Sequence, residues 1–253
     1  MKKILLALLL SSLATVALGA TPKKDGTHRF YGYAFDLETD AYLYTEVHTQ
    51  KIAKGRWVGG STTYYAPDGT RIGRKTIDFT RDPYVPVYTL EMSQSGYMEG
   101  VTDAGDPIRM QNRSETGEEI ETGAIRREGD LVADSGFHTY LIDHFDQLQA
   151  GQTLHFKFVV SGRLDTFSFR ARKVGDVTYE GQPAVRLEIA PDSILSIIVP
   201  DLYMLYDPNT RQMLEFRGTT NIPDPKTGKA YESRLVYPAK PPAGAPKKLP
   251  PLR

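Results

Sequence analysis

The chain has 253 residues, no cysteine, and 31 basic against 31 acidic side chains. Balanced charge argues against a dedicated nucleic-acid binder, which carries a basic excess on one face. Missing cysteine excludes thiolate metal sites, a lipid-modified N-terminal cysteine and disulfide stapling, so core packing must hold a fold of this length together.

The first element is an export signal. Lys2 and Lys3 precede an apolar run from Ile4 to Leu18, and Ala17-Leu18-Gly19 supplies small residues at a cleavage site. Residues 1–19 therefore predict a cleaved signal peptide and a periplasmic protein. Removal takes the 31 basic residues to 29 against 31 acidic ones, a net charge near −2. Residues 20–28 read as a flexible leader. No later apolar run is long enough to span a membrane, so no transmembrane segment is expected in the mature chain.

Residues 29–238 read as one antiparallel β domain. In 41–50, Leu43, Thr45 and Val47 alternate with Tyr42, Tyr44, Glu46 and His48, the period of a strand. Residues 56–65 follow with Trp57 and a Gly59-Gly60 pair, which predicts a bulge or sharp bend. Ala66-Pro67-Asp68-Gly69 should turn this strand into a hairpin with 71–79. Short strands over 85–92, 96–102 and 108–113 come next. An acidic arm with Glu115, Glu118, Glu119 and Glu121 follows, without the ligand spacing of a calcium loop.

One helix is expected over 136–149. Asp134 and Ser135 offer caps and Gly151 a stop, while Phe137, Tyr140, Leu141, His144, Phe145 and Leu148 share one stripe. Strands resume with 154–160, where Leu154, Phe156, Phe158 and Val160 alternate with His155, Lys157 and Val159. Ser161-Gly162-Arg163 breaks the pattern before 164–172. Further strands are read over 185–189, 202–206, 213–219 and 231–237. Ile194 to Pro200 is the most apolar mature stretch, read as core. Residues 239–253, with prolines, lysines and no acid, predict a disordered or extended tail.

The fold class is mainly β: a single curved antiparallel sheet, half-barrel or barrel, with one amphipathic helix packed on it. Chemistry is sparse. No Gly-x-Ser-x-Gly elbow appears and no histidine pair has the spacing of a zinc helix. No metal and no cofactor is implied. His144, inside the apolar stripe, is the strongest catalytic candidate, with Asp165 as a carboxylate partner for a hydrolase. Arg163 is the cation placed to meet a carboxylate or phosphate.

Ser135-Gly136-Phe137, His144-Phe145-Asp146-Gln147-Leu148, Arg163-Leu164-Asp165-Thr166-Phe167, Leu205-Tyr206-Asp207 and Thr220-Asn221-Ile222 resemble a family of uncharacterised exported bacterial proteins of the proteobacterial type. At the level of fold the layout is similar to periplasmic lipoprotein carriers, half-barrels with a helix over an apolar cavity. An aromatic-rich curved sheet without a catalytic signature points to a non-catalytic binding or carrier module for an apolar or lipid-like ligand, with peripheral membrane contact. Its lining residues would be Phe137, Tyr140, His144, Phe145, Phe156 and Phe158, with Arg163 at a polar headgroup. Two alternatives are the His144 hydrolase and an assembly factor offering sheet edges or the basic tail to a protein partner.

Overall fold

A computed structural model describes residues 24–192, 201–225 and 227–252. Residues 1–19, read as a signal peptide, and the apolar stretch of 194–200 lie outside the described residues. Eight strands come first in chain order: β1 (Gly26–Asp36), β2 (Tyr42–Ala53), β3 (Arg56–Tyr65), β4 (Arg71–Asp78), β5 (Val87–Met92), β6 (Met98–Asp103), β7 (Ile108–Arg113) and β8 (Glu121–Ile125). Then come β9 (Leu131–Ala133), helices α1 (Gly136–Asp143) and α2 (Phe145–Gln149), and β10 (Leu154–Val160). The remaining strands are β11 (Asp165–Tyr179), β12 (Gln182–Pro191), β13 (Leu202–Tyr206), β14 (Met213–Pro223) and β15 (Ala230–Val236).

These strands form one curved sheet that does not close into a hydrogen-bonded barrel. The spatial order is β8-β7-β6-β5-β4-β3-β2-β1-β15-β14-β13-β12-β11-β10-β9. Two meanders therefore meet at the antiparallel β1–β15 pair, and the parallel pairing of β9 with β10 is the exception. Short turns make the neighbours antiparallel. In the β3–β4 turn the Gly69 amide donates to the Ala66 carbonyl at 2.9 Å, and Asp68 accepts the Thr70 amide at 2.8 Å. The β13–β14 turn repeats the device, with Asp207 accepting the amides of Asn209 and Thr210. The expected irregularity at Gly59-Gly60 is present as a register shift opposite Lys51 and Ile52. A Cβ at Gly60 would lie 1.9 Å from the Thr49 carbonyl oxygen, so the two strands approach there as only glycine permits.

The ends of the sheet overlap instead of pairing. Along β10, Phe156 packs toward the helices, with Phe158 at the margin of the same cluster. Val159 faces the other way, and with Leu131 and Ala133 of β9 it packs on Ile77, Tyr88, Val101 and Met110 of β4–β7 and on Phe79 just after β4. The β9–β10 edge is thus tucked against the inner side of the opposite wall. A 3-10 turn, Ser161–Arg163, completes the seam against β6 and β7. Burying both faces of β9, and of β10 around Val159, seals the wall by side chains, which suits an edge three residues long.

The single helix expected over 136–149 is two short ones. The backbone leaves the helical region at His144 (φ −105°, ψ 16°), whose Nδ1 lies 2.9 Å from the Tyr140 carbonyl and competes with the main chain for it. The apolar stripe nevertheless survives: Phe137, Tyr140, Leu141, Phe145 and Leu148 are buried against Phe156, Ala171, Leu187, Ile189, Met204 and Tyr206. Ser135 stands at the N-cap position but its hydroxyl makes no capping bond. It donates instead to Asp134, which also accepts the Ser135 amide. β1 starts at Gly26, inside the stretch read as leader. Residues 238–252 form no strand or helix, and part of this segment lies on the outer face of β1 and β15.

Candidate functional site

Direct cross-strand pairing places Phe30, His48, Thr62, Lys75, Leu90, Glu99 and Asn112 in one row across β1 to β7. Directly opposed residues share a face, and Leu90, Glu99, Thr62 and Asn112 are all buried. A stripe of polar and charged side chains therefore runs over the inner wall. Lys75 is held by Asp134, its Nζ 2.8 Å from Oδ1 and 3.0 Å from Oδ2, with Ser135 Oγ at 3.4 Å. The Asn221 amide on β14 bridges the carboxylates, donating to Glu99 at 2.9 Å and to Asp134 at 3.2 Å. Tyr97 donates to the second Glu99 oxygen at 2.7 Å.

The network joins β4, β6 and β14 to the start of α1, so it fixes both the overlapping seam and the position of the helices. Burial pushes the Glu99 carboxyl above its ordinary range, against the lowering effect of Tyr97 and Asn221. Burial works in the same direction on Asp134, but the Lys75 charge and hydrogen bonds from Lys75 and Ser135 outweigh it and hold that carboxyl low. Tyr64 and Tyr88 are raised well above the usual phenol range by burial and the neighbouring carboxylates. Further along the row His48 bridges Thr62 (Nδ1 to Oγ1, 3.1 Å) and Glu46 (Nε2 to Oε2, 2.7 Å) and stacks on Phe30 at 4.6 Å.

Next to this network lies the aromatic interface under α1 and α2. Phe137 meets Phe156 and Phe158 at ring separations of 5.3 and 5.7 Å, and Tyr140 meets Phe156 at 5.6 Å. Phe145 meets Tyr206 edge-on at 5.8 Å. Few polar bonds cross to the helices: His138 to Tyr206 at 3.0 Å, Tyr140 to Asp130 at 3.1 Å, Tyr84 to Asp143 at 3.1 Å, and Arg211 to Asp146 and the Ile142 carbonyl. A shallow open cleft of about 220 Å³ sits beside the β10–β11 hairpin, walled by Glu128, Asp130, His155, Lys157, Ser168 and Asp192. Its charges pair across it, His155 with Asp192 at 2.6 Å and Lys157 with Glu128 at 3.7 Å. The His155 bond is the main reason the Asp192 carboxyl is held low.

The structure gathers Phe137, Tyr140, Phe145 and Phe156 into one buried cluster, with Phe158 partly buried at its margin. His144 stands half-buried beside them, its ring 4.3 Å from that of Tyr140. Arg163 is exposed on the seam turn, where its charge acts on Tyr97. Asp165 is exposed and accepts the Thr166 amide, and no hydrogen bond or ion pair joins it to His144. Lys75, Glu99, Asp134 and Asn221 escaped the sequence reading as a site. The usable signal was strand parity: Lys75 alternates in step with Gly73 and Ile77, and Glu99 with Val101. Among the described residues no set of three or more histidine and carboxylate side chains converges as a metal cluster, and no helix is long and apolar enough to cross a membrane.

Together the overlapping sheet, the helix pair on its inner side and the internal polar row define a β-barrel-like protein with an open wall. No family model matches the chain, and no curated protein matches it. Among solved structures it is similar to a β-barrel-like protein of a domain of unknown function from Brucella abortus, at 9% identity and a TM-score of 0.49. The match covers 84% of this chain and 97% of that one.

Proposed function

We propose that this is an exported bacterial envelope protein that acts as a non-catalytic binding or carrier module for an apolar, lipid-like ligand. The observation that supports this reading is the interface beneath α1 and α2. It is aromatic on both sides, and only a handful of polar bonds tie the helices to the wall. Such a plug separates from its seat mainly by exchanging one apolar contact for another, with the His138–Tyr206 bond as its main buried polar cost, so an acyl chain or similar group takes the place of the helix stripe. The carboxylates and Lys75 beside the seat satisfy one another, which suits a ligand recognised by its apolar part.

The test is lipid extraction and native mass spectrometry of the full chain purified from the compartment to which its N-terminal segment directs it. A lipid-like mass bound one to one is expected, together with saturable uptake of a fluorescent fatty acid that Phe156→Asp abolishes. Ligand-free protein that takes up no probe would overturn the reading.

A further inference from the structure

The seam between the overlapping sheet ends is fastened unevenly. At the β9 end it is pinned by polar bonds: the Ala133 amide donates to the Tyr84 carbonyl at 2.9 Å, and Lys75 grips Asp134. At the other end lies the 3-10 turn Ser161–Arg163, set against β6 and β7. Among the described residues one hydrogen bond ties this turn to the opposite wall, from Asn112 Nδ2 to the Ser161 carbonyl, and it is long at 3.5 Å. The buried Ser161 hydroxyl faces Tyr88 but is in hydrogen-bond geometry with no group. The turn ends at Leu164, whose backbone is left-handed (φ 52°, ψ 34°), a conformation that costs free energy for a residue with a Cβ.

Beneath the turn lies Glu99, 5% exposed. A Cβ at Gly162 would stand 2.6 Å from Glu99 Oε2 and 2.6 Å from the Tyr97 hydroxyl, so the backbone of the turn rests on the carboxyl and on its bond to Tyr97. The hydrogen-bond partners of Glu99 are uncharged: Tyr97, Tyr88 of β5 and Asn221 of β14. The charged groups facing it are Lys75 of β4 and Asp134 before α1, which pair with each other. Tyr64 of β3 faces it too, and Arg163 of the turn acts on Tyr97.

We infer that the turn Ser161–Arg163 is a lid on the seam, shut while the Glu99 carboxyl is neutral and released when that carboxyl loses its proton. The closed turn keeps water from one side of Glu99, and lifting it supplies that water. Burial disfavours the charged form and raises the closed-state value above the ordinary 4.5. Ionisation therefore favours the lifted turn. The bias sets in as pH passes the hydrated value of 4.5 and is complete above the raised closed one. Leu164 is the hinge that relaxes on opening, while the bonds of Ala133 and Asp134 hold the β9 end in place. The lid does not rest on the carrier reading, and it operates whatever the chain binds.

The chain has no cysteine, so Ser161→Cys in the full chain supplies a single reporter thiol. Ser161 is 1% exposed, and its hydroxyl gives up no hydrogen bond in the exchange. Labelling by a dithiodipyridine reagent is timed between pH 4 and pH 7 with Glu99 in place and with Glu99→Gln, which mimics the neutral carboxyl. The thiolate fraction rises with pH in both chains, so the ratio of their rates isolates the lid. That ratio should rise at least threefold from pH 4 to pH 7. A smaller rise, a fall, or labelling as fast as in urea at every pH overturns the proposal. Hydrogen exchange read by mass spectrometry needs no cysteine. At pH 7 the unaltered chain should lose protection over 161–164 ahead of β1–β3, and Glu99→Gln should slow that loss. Exchange of the turn and β1–β3 as one unit would mean that the whole domain opens, and it refutes the lid.

Discussion

Lys75→Met tests the internal network most directly. The Lys75 and Asp134 side chains are 12% and 4% exposed, so removing the ammonium leaves a carboxylate with little water. Breaking a buried pair from one side costs roughly 3–5 kcal/mol. The carboxylate has an escape, which sets a ceiling: it takes up a proton. From its ordinary value of 3.8, protonation at pH 7 costs about 4 kcal/mol at roughly 1.36 kcal/mol per pH unit.

The expected loss is therefore about 3–4 kcal/mol at pH 7, a large share of a stability of roughly 5–15 kcal/mol. The sign with pH is fixed. In the native chain Asp134 is depressed, so its contribution is present above the unfolded value and fades as pH falls through the lower folded one. In the variant its folded value is raised instead, so the penalty grows as pH climbs above about 3.8 and shrinks below it. Urea unfolding of both chains at about pH 4, 5.5 and 7, followed by circular dichroism, reads this out. Asp134→Asn added to Lys75→Met should return part of the loss. A loss below about 1 kcal/mol at pH 7, or one that does not change with pH, refutes the picture of a buried pair securing the seam.

Two other outcomes follow from the same geometry. Glu99→Gln keeps partners for Tyr97 and Asn221 while removing a carboxyl whose value burial has raised; because such a group weakens the fold as pH rises past its unfolded value of 4.5, the variant should gain stability at neutral pH and show a flatter pH profile, measured by thermal melts. Gly60→Ala drives a methyl into the Thr49 carbonyl at a backbone φ of +150°, so a loss of about 3 kcal/mol or more is expected in urea titrations, and a near-neutral effect would mean that the β2–β3 bulge yields easily.

Much of the architecture was legible in the chain because it is written locally. Alternation over 41–50 and 154–160, the Pro67-Asp68-Gly69 and Asp207-Pro208-Asn209 turns, and the Gly59-Gly60 irregularity each depend on residues within a few positions of one another. The 3.6-residue stripe from Phe137 to Leu148 likewise located the helical segment and its buried face. It did not show the break at His144, because a ring nitrogen bonding its own i−4 carbonyl leaves the apolar spacing untouched.

The sequence by itself determined a β-rich chain of short antiparallel strands with one helical interruption, since side-chain period and turn chemistry are properties of neighbours. Only the tertiary structure decided that the sheet ends overlap without pairing. It alone brought Lys75, Glu99, Asp134 and Asn221 together from four separate segments, and laid a proline-rich tail over the outer face of β1 and β15. Those arrangements depend on curvature and register accumulated over fifteen strands, and a charged residue on the inner parity of a strand does not name its partner until the opposite wall arrives.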